Sequence, residues 1–327
     1  MKLGVEFVPY SGVERLRELA ERAERFGFDQ IWVSDHYHNR YVHSVLVHLA
    51  AVTKKIMLGP GVTNPYLSHP SVIAAAVATL DEISNGRAML GISAGDPFYL
   101  ATVGVKHRRP ITTVREAIQV IRKLLSEEKV DYAGEIFTCR GAGLHFRPIG
   151  EIPIYVGGRK RRMLELSGEL ADGALLNASH PDDLKECTEY VCSGAKKAGR
   201  DPKEVEVVAY MATSIDEDEE RARNRAKTVV AFVGSSAPEQ SLERHGIPPE
   251  EMERVRRKLQ AGDIRGAREA VTEAMIDAFS VSGTLNEFLS RVEELRRMGI
   301  TGVVVGSPIG PDAPKSLELI GRALSGK

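Results

Sequence analysis

Several features that would narrow the function at once are missing from this chain of 327 residues. It has three cysteines, Cys139, Cys187 and Cys192, without CxxC spacing. That argues against a disulfide framework and a cysteine zinc site. No His, Cys, Asp and Glu spacing matches a metal site well; Asp35 with His36 and His38 is the nearest approach. The formal net charge is -1 and the pI about 6.8, so nothing implies bulk attraction to nucleic acid or an anionic membrane. No apolar run reaches the length of a membrane-spanning helix. The N-terminal MKLGVEFVPY reads as a first strand, not a signal peptide. A cytoplasmic protein acting on a small molecule is the expectation, with no nucleic-acid or membrane partner. A GxxxxGK[ST] phosphate loop is also missing, and Val8-Pro9-Tyr10-Ser11-Gly12 after the first strand is no Gly-x-Gly-x-x-Gly turn.

What is present is rhythm. Leu3–Val8, Asp29–Val33, Ile56–Leu58, Ala88–Ile92, Ile152–Val156, Gly173–Leu176, Val205–Met211 and Gly302–Val305 read as short apolar strands. Helical patterns occupy Val13–Phe26, Val42–Val52, Val72–Ile83, Val114–Leu125, Met163–Leu170, Leu184–Ala198, Leu285–Met298 and Ser316–Leu324. Alternation of this kind predicts a parallel sheet. Eight strands predict a closed (β/α)8 TIM barrel, with an open doubly wound sheet as the alternative. A single domain over 1–327 is expected, with insertions at about 127–150 and 217–280. The first carries a hairpin-like segment over Gly134–Arg147; the second is mainly helical and highly charged at both ends.

A barrel gathers the C-terminal ends of its strands at one mouth, where active sites sit. The residues there are Glu6, Asp35, His36, Gly61 to Asn64 (Gly61, Val62, Thr63, Asn64), Asp96, Gly157, Gly158, Asn177, Ser179 and Ser307. Glu6 stands in an apolar strand, where a lone carboxylate is costly unless paired or used. It reads as a general acid or as a structural carboxylate bonded into the barrel. Asp35-His36 reads as a binding pair or as a helix N-cap with a stacked imidazole. The stretch Lys55–Tyr66, KIMLGPGVTNPY, ends a strand in two glycines, which permits close approach to the backbone. It reads equally as an ordinary strand-to-loop exit. Gly157-Gly158-Arg159-Lys160-Arg161-Arg162 opens a helix with four cations. It reads as a phosphate cradle or as a solvated basic turn.

The chain resembles the luciferase-like flavin and deazaflavin barrel enzymes, and within them the 5,10-methylenetetrahydromethanopterin reductases of methanogenic and related archaea. Val5-Glu6-Phe7-Val8-Pro9, Ser34-Asp35-His36-Tyr37, Leu58 to Tyr66 and Asn177-Ala178-Ser179 carry the resemblance. So do Glu243-Arg244-His245-Gly246 and Gly306-Ser307-Pro308-Ile309-Gly310-Pro311-Asp312, so the match runs from first strand to last helix. The resemblance implies coenzyme F420, bound as a dissociable cosubstrate, that gives a hydride to the methylene carbon of a pterin carrier. It implies a non-prolyl cis peptide at Gly61-Val62, Glu6 as the proton donor, and Asp96 as a second polar anchor for the pterin. Two strand ends depart from it. Ser93-Ala94-Gly95-Asp96-Pro97-Phe98 replaces the reductases' Gly-Pro-Gly-Asp-Lys-Ala, and Gly157-Gly158-Arg159-Lys160-Arg161 replaces Gly-Ala-Gln-Gly-Pro. The alternatives are another F420- or FMN-dependent luciferase-like oxidoreductase or monooxygenase, and a non-catalytic flavin- or pterin-binding barrel. A homo-oligomer, dimer or tetramer, is expected, with 217–280 a candidate for subunit contacts.

Overall fold

A computed structural model describes residues 1–36 and 38–325. Tyr37, part of the matching Ser34–Tyr37 stretch, lies outside the described residues. In chain order the strands are β1 (Lys2–Phe7), β2 (Gln30–Val33), β3 (Met57–Pro60), β4 (Leu90–Ile92), β5 (Val130–Ala133), β6 (Thr138–Ala142), β7 (Ile154–Gly158), β8 (Gly173–Leu176), β9 (Glu206–Ile215), β10 (Val281–Gly283) and β11 (Gly302–Ile309).

The main sheet runs β3-β2-β1-β11-β9-β8-β7-β4, with every pairing parallel. Its two ends meet through isolated parallel bridges, Leu58 with Ala88 and Thr63 with Ile92. The ring is a nearly closed eight-stranded α/β TIM barrel, and the open sheet is set aside. β5 and β6 form a separate antiparallel hairpin, and β10 adds to the outer part of β9.

Strand alternation sorts the side chains. On β1, Leu3, Val5 and Phe7 join the layer between barrel and helices, while Lys2, Gly4 and Glu6 alternate with them and face the lumen. The lumen is filled. Trp32, Met89, Tyr155, Leu175, Val208 and Val304 form one buried cluster. The Trp32 and Tyr155 rings meet edge-to-face, with centroids 5.2 Å apart. Below it, Lys2 Nζ lies 2.5 Å from a Glu206 carboxylate oxygen, and the Tyr155 hydroxyl donates to the same carboxylate at 3.1 Å. This apolar plug leaves only the C-terminal mouth available for chemistry.

Helix starts lie earlier than the apolar periodicity predicts. The helices begin at Pro70, Pro110, Pro181 and Ala313 rather than at Val72, Val114, Leu184 and Ser316. In the first three a proline occupies the first helical position, where its missing N–H costs nothing. A short helix, Pro97–Thr102, was not expected. β7 begins two residues late, β9 and β11 end four residues later than predicted, and β10 was not anticipated. The stretch from 217 to 280 contains helices at Glu219–Ser235, Pro249–Gln260 and Glu273–Phe279 around a second core. Val230, Met252, Val255, Met275, Ile276 and Phe279 form the centre of that core.

Candidate active site at the barrel mouth

Glu6 is the last lumen-facing residue of β1 and is half-buried. One carboxylate oxygen accepts from the Ser34 hydroxyl at 2.5 Å, the other from the Ser307 backbone N–H at 2.8 Å. The Tyr210 hydroxyl lies within reach of the Glu6 charge. Glu6 is therefore a carboxylate hydrogen-bonded into the barrel, as one of its two sequence readings has it. Its hydrogen-bond partners come from just past β2 and from the outer part of β11. Tyr210 also donates to the Gly61 carbonyl at 3.3 Å. Burial, and then the charge of Glu6, push its hydroxyl well above the usual phenol range.

The peptide Gly61-Val62 is cis, as expected from the resemblance. At Gly61 an added Cβ would sit 2.7 Å from the Trp32 side chain and 2.8 Å from the Tyr210 hydroxyl, so the β3 end lies directly on the lumen plug. The Val62 side chain turns toward β7, where a Cβ on Gly157 would meet it at 3.0 Å. Ser93 donates to the Gly157 carbonyl at 2.7 Å, and the Asn177 N–H to the Gly158 carbonyl at 3.1 Å. Thr63 and Asn64 are buried. The Thr63 hydroxyl donates to Asp35 at 2.7 Å, and the Asn64 side chain accepts from the Tyr66 and Leu67 N–H groups. Asn64 thus shapes the loop.

Asp35 caps no helix. The helix Val42–Val52 begins after Tyr41, without a side-chain cap, and the Asp35 carboxylate is bound instead to Thr63. His36 is exposed at the rim. Its ring lies nearly parallel to Tyr99, with centroids 6.3 Å apart, and its Nδ1 is 3.4 Å from the Tyr10 hydroxyl. Tyr10 and Phe98 are 71% and 60% exposed, so the loops after β1, β2 and β4 present an open aromatic rim beside Glu6. Asp96 stands at that rim as the N-cap of Pro97–Thr102, accepting from the Phe98 N–H at 2.7 Å. This local role explains an aspartate there without catalysis. No group of three potential metal ligands occurs among the described residues.

The basic turn is divided. Arg161 pairs with Glu165 on its own helix, Arg161–Leu170, and lies over the Tyr190 ring. Arg159 turns inward instead. It donates to the Asn177 carbonyl at 2.7 Å and the Val233 carbonyl at 3.0 Å, and burial lowers its pKa. Among the described residues no carboxylate lies within ion-pair distance of it. The helix Arg161–Leu170 also has no side-chain cap at its N-terminus. A cation without a counter-ion beside free N–H groups fits an anionic ligand group. Ser179 is buried and donates to the Phe279 carbonyl at 3.1 Å, which ties the mouth to the helical excursion; Asn177 is exposed beside Arg159.

Sequence reasoning brought Glu6, Asp35, Gly61 to Asn64, Gly157, Gly158 and Arg159 to one mouth. It missed Tyr210 and the use of Ser34. The signal for Tyr210 was available: Glu206, Val208 and Tyr210 alternate on β9 as Lys2, Gly4 and Glu6 do on β1.

A sequence model of the luciferase-like monooxygenase family matches residues 3–302. A 5,10-methylenetetrahydromethanopterin reductase of Archaeoglobus fulgidus is 46% identical, over 99% of this chain and 98% of that protein. A second of that name, from Methanolobus tindarius, is 43% identical over the full length of both chains. Among solved structures, the coenzyme F420 dependent tetrahydromethanopterin reductase from Methanopyrus kandleri matches with a TM-score of 0.93 at 39% identity, over 98% of this chain and 97% of that one. The chain belongs to the luciferase-like monooxygenase family, among relatives named 5,10-methylenetetrahydromethanopterin reductase.

Proposed function

We propose that this protein is an F420-dependent 5,10-methylenetetrahydromethanopterin reductase, which reversibly yields 5-methyltetrahydromethanopterin. The observation that carries the reading is full-length identity of 39–46% to reductases of that name. The mouth geometry supports it. Arg159 and the free N-terminus of Arg161–Leu170 suit the anionic part of the coenzyme. The glycines at 61 and 157 let the ends of β3 and β7 pack directly on Trp32, Tyr210 and Val62, which gives the mouth a tightly packed floor.

When bound, reduced F420 supplies a hydride. The chain's own work is alignment and one proton. The pterin lies over Glu6, flanked by the aromatic rim of Tyr10, His36, Phe98 and Tyr99. As the methylene carbon gains two electrons and its bond to one nitrogen breaks, that nitrogen takes the proton of Glu6. The resulting carboxylate is met by donors already in place at Ser34 and Ser307, and it regains a proton from water between turnovers. Asp35, held by Thr63, and exposed Asn177 complete the polar contacts; Asp96 remains a second anchor for the pterin.

A single barrel domain with two insertions, a cytoplasmic location and a homo-oligomer belong to the same reading. No described helix is long and apolar enough to cross a membrane. Val47, Val72 and Ile83 are exposed on the helices Val42–Val52 and Pro70–Ser84, as Phe232 and Ile264 are on the excursion, and both apolar surfaces are candidates for subunit contact.

The test is anaerobic absorbance at the deazaflavin band with reduced F420 and methylenetetrahydromethanopterin. Oxidation of F420 that requires the pterin supports the proposal. A yellow protein holding FMN and consuming oxygen, without that oxidation, would contradict it.

A further inference from the structure

The helix Glu219–Ser235 divides its cations between two faces. Arg223 meets the Glu273 and Asp277 carboxylates at 2.7 Å each, and Lys227 lies 3.9 Å from Glu273. Arg221, Asn224, Arg225 and Thr228 fall on another face, at spacings of three and four residues. They line a surface cavity of about 290 Å³ together with Arg268, from the helix Ile264–Glu269, and Pro311, from the loop after β11. No carboxylate lines it. Asp216, which is buried, approaches Arg221 at 3.7 Å. Among the described residues, Arg225 and Arg268 have no carboxylate within ion-pair distance. The Arg268 guanidinium donates to the Asn224 side-chain oxygen at 2.7 Å. That bond orients it and uses one of its five N–H groups. Guanidiniums that gather without a counter-ion repel one another. An anion between them reverses the sign of the interaction.

We propose that Arg221, Arg225 and Arg268 form a second anion site, separate from the one at Arg159, that takes a small ligand bearing phosphate. Guanidinium groups match phosphate oxygens in spacing and direction. A carboxylate has one negative charge and two oxygens in one plane. A phosphate carries more charge and presents oxygens on several sides, as arginines arriving from two helices require. The cavity falls just under the about 300–1,000 Å³ usual for ligand sites, so the guest is small. Arg225 stands about two helical turns before Val233, whose carbonyl holds Arg159. The two anion sites therefore occupy different stretches of one helix, and the second does not depend on the identity of the coenzyme.

Pyrophosphate is the probe, titrated calorimetrically into the full chain at low ionic strength, where screening is least. The expected result is binding to the parent that weakens about tenfold or more in Arg225→Ala and in Arg268→Ala, the size of one hydrogen bond to a charged group. The same binding event should be nearly unchanged in Arg159→Ala. Pyrophosphate should also raise the melting temperature of the parent more than that of Arg225→Ala. Arg225→Gln and Arg268→Gln keep much of the side-chain length and remove the charge, and they serve where an alanine variant does not fold. No binding to the parent, unchanged affinity in the Arg225 and Arg268 variants, or a loss confined to Arg159→Ala would overturn the inference. Succinate bound as tightly as pyrophosphate would overturn the assignment to phosphate.

Discussion

The Ser307 backbone N–H donates to the Glu6 carboxylate at 2.8 Å, across 301 positions of sequence. The first and last strands of the barrel are neighbours, with Val5 opposite Val305. The pairing of β11 with β9 breaks between Gly306 and Pro308. That irregularity frees the Ser307 N–H from the ladder and aims it into the lumen. Barrel closure therefore sets the orientation of Glu6, and a chain lacking its last strand would lose the carboxylate's geometry as well as its stability.

Arg159 is expected to act on binding and not on chemistry. Its charge lies on the β7 side of the mouth, and contacts to a remote anionic group raise affinity without changing the barrier. Arg159→Ala should weaken F420 binding about tenfold or more, with kcat at saturation nearly unchanged. Arg161→Ala should leave affinity close to the parent, since Glu165 already holds that side chain. Fluorescence titration with F420 decides. Unchanged affinity in Arg159→Ala, or equal losses in both variants, would return the turn to a solvated basic face.

Asp96 separates cap from anchor. Asp96→Asn retains a capping side chain and removes the charge, whereas Asp96→Ala removes both. If the carboxylate anchors the pterin, KM for the pterin rises in both variants. If only the cap matters, Asn behaves as the parent and Ala alone is affected. Loss of the cap alone is expected to cost about 1 kcal/mol, read by denaturant unfolding.

Asp183 ties the helical excursion to the helix Pro181–Lys197. Burial alone would raise its pKa. Donors from His245 and Ser241, with the charges of His245 and Arg244, outweigh burial and hold it below the usual range. A carboxyl lowered in the folded state contributes stability that is fully present above its unfolded value. That contribution is lost as pH falls through the lower, folded value. Urea midpoints of the parent should therefore drop below about pH 4, and Asp183→Asn should lose part of that dependence. Parallel curves for the two proteins would contradict the account.

Much of this architecture can be read from the residues. Strand order, closure and the mouth follow from short apolar runs separated by helical periods. Glu6, Gly61 and Gly157 stand out because each breaks the pattern of its strand. The helix starts at Pro70, Pro110 and Pro181 were readable too, had proline been treated as an opening signal. The facing of Tyr210 was legible from its alternation with Glu206 and Val208, but its partner was not, since an aromatic residue in a β-strand is ordinary core material until its neighbours are known. The inward turn of Arg159 was not legible at all. It depends on carbonyls at Asn177 and Val233, and periodicity says nothing about which backbone groups come to face each other across the mouth.

The measurement that reaches furthest into this account is turnover and F420 affinity of Glu6→Gln, taken together. Gln keeps the size and can accept the Ser307 N–H with its carbonyl oxygen while its amide NH2 donates to the Ser34 hydroxyl, but it has no acidic proton to give. Removing a general acid typically costs about 10²–10⁴-fold in rate. The account predicts turnover reduced by at least about a hundredfold, with F420 affinity nearly intact. Turnover close to the parent rate would contradict it, making Glu6 a structural carboxylate and Asp96 the next residue to test as proton source.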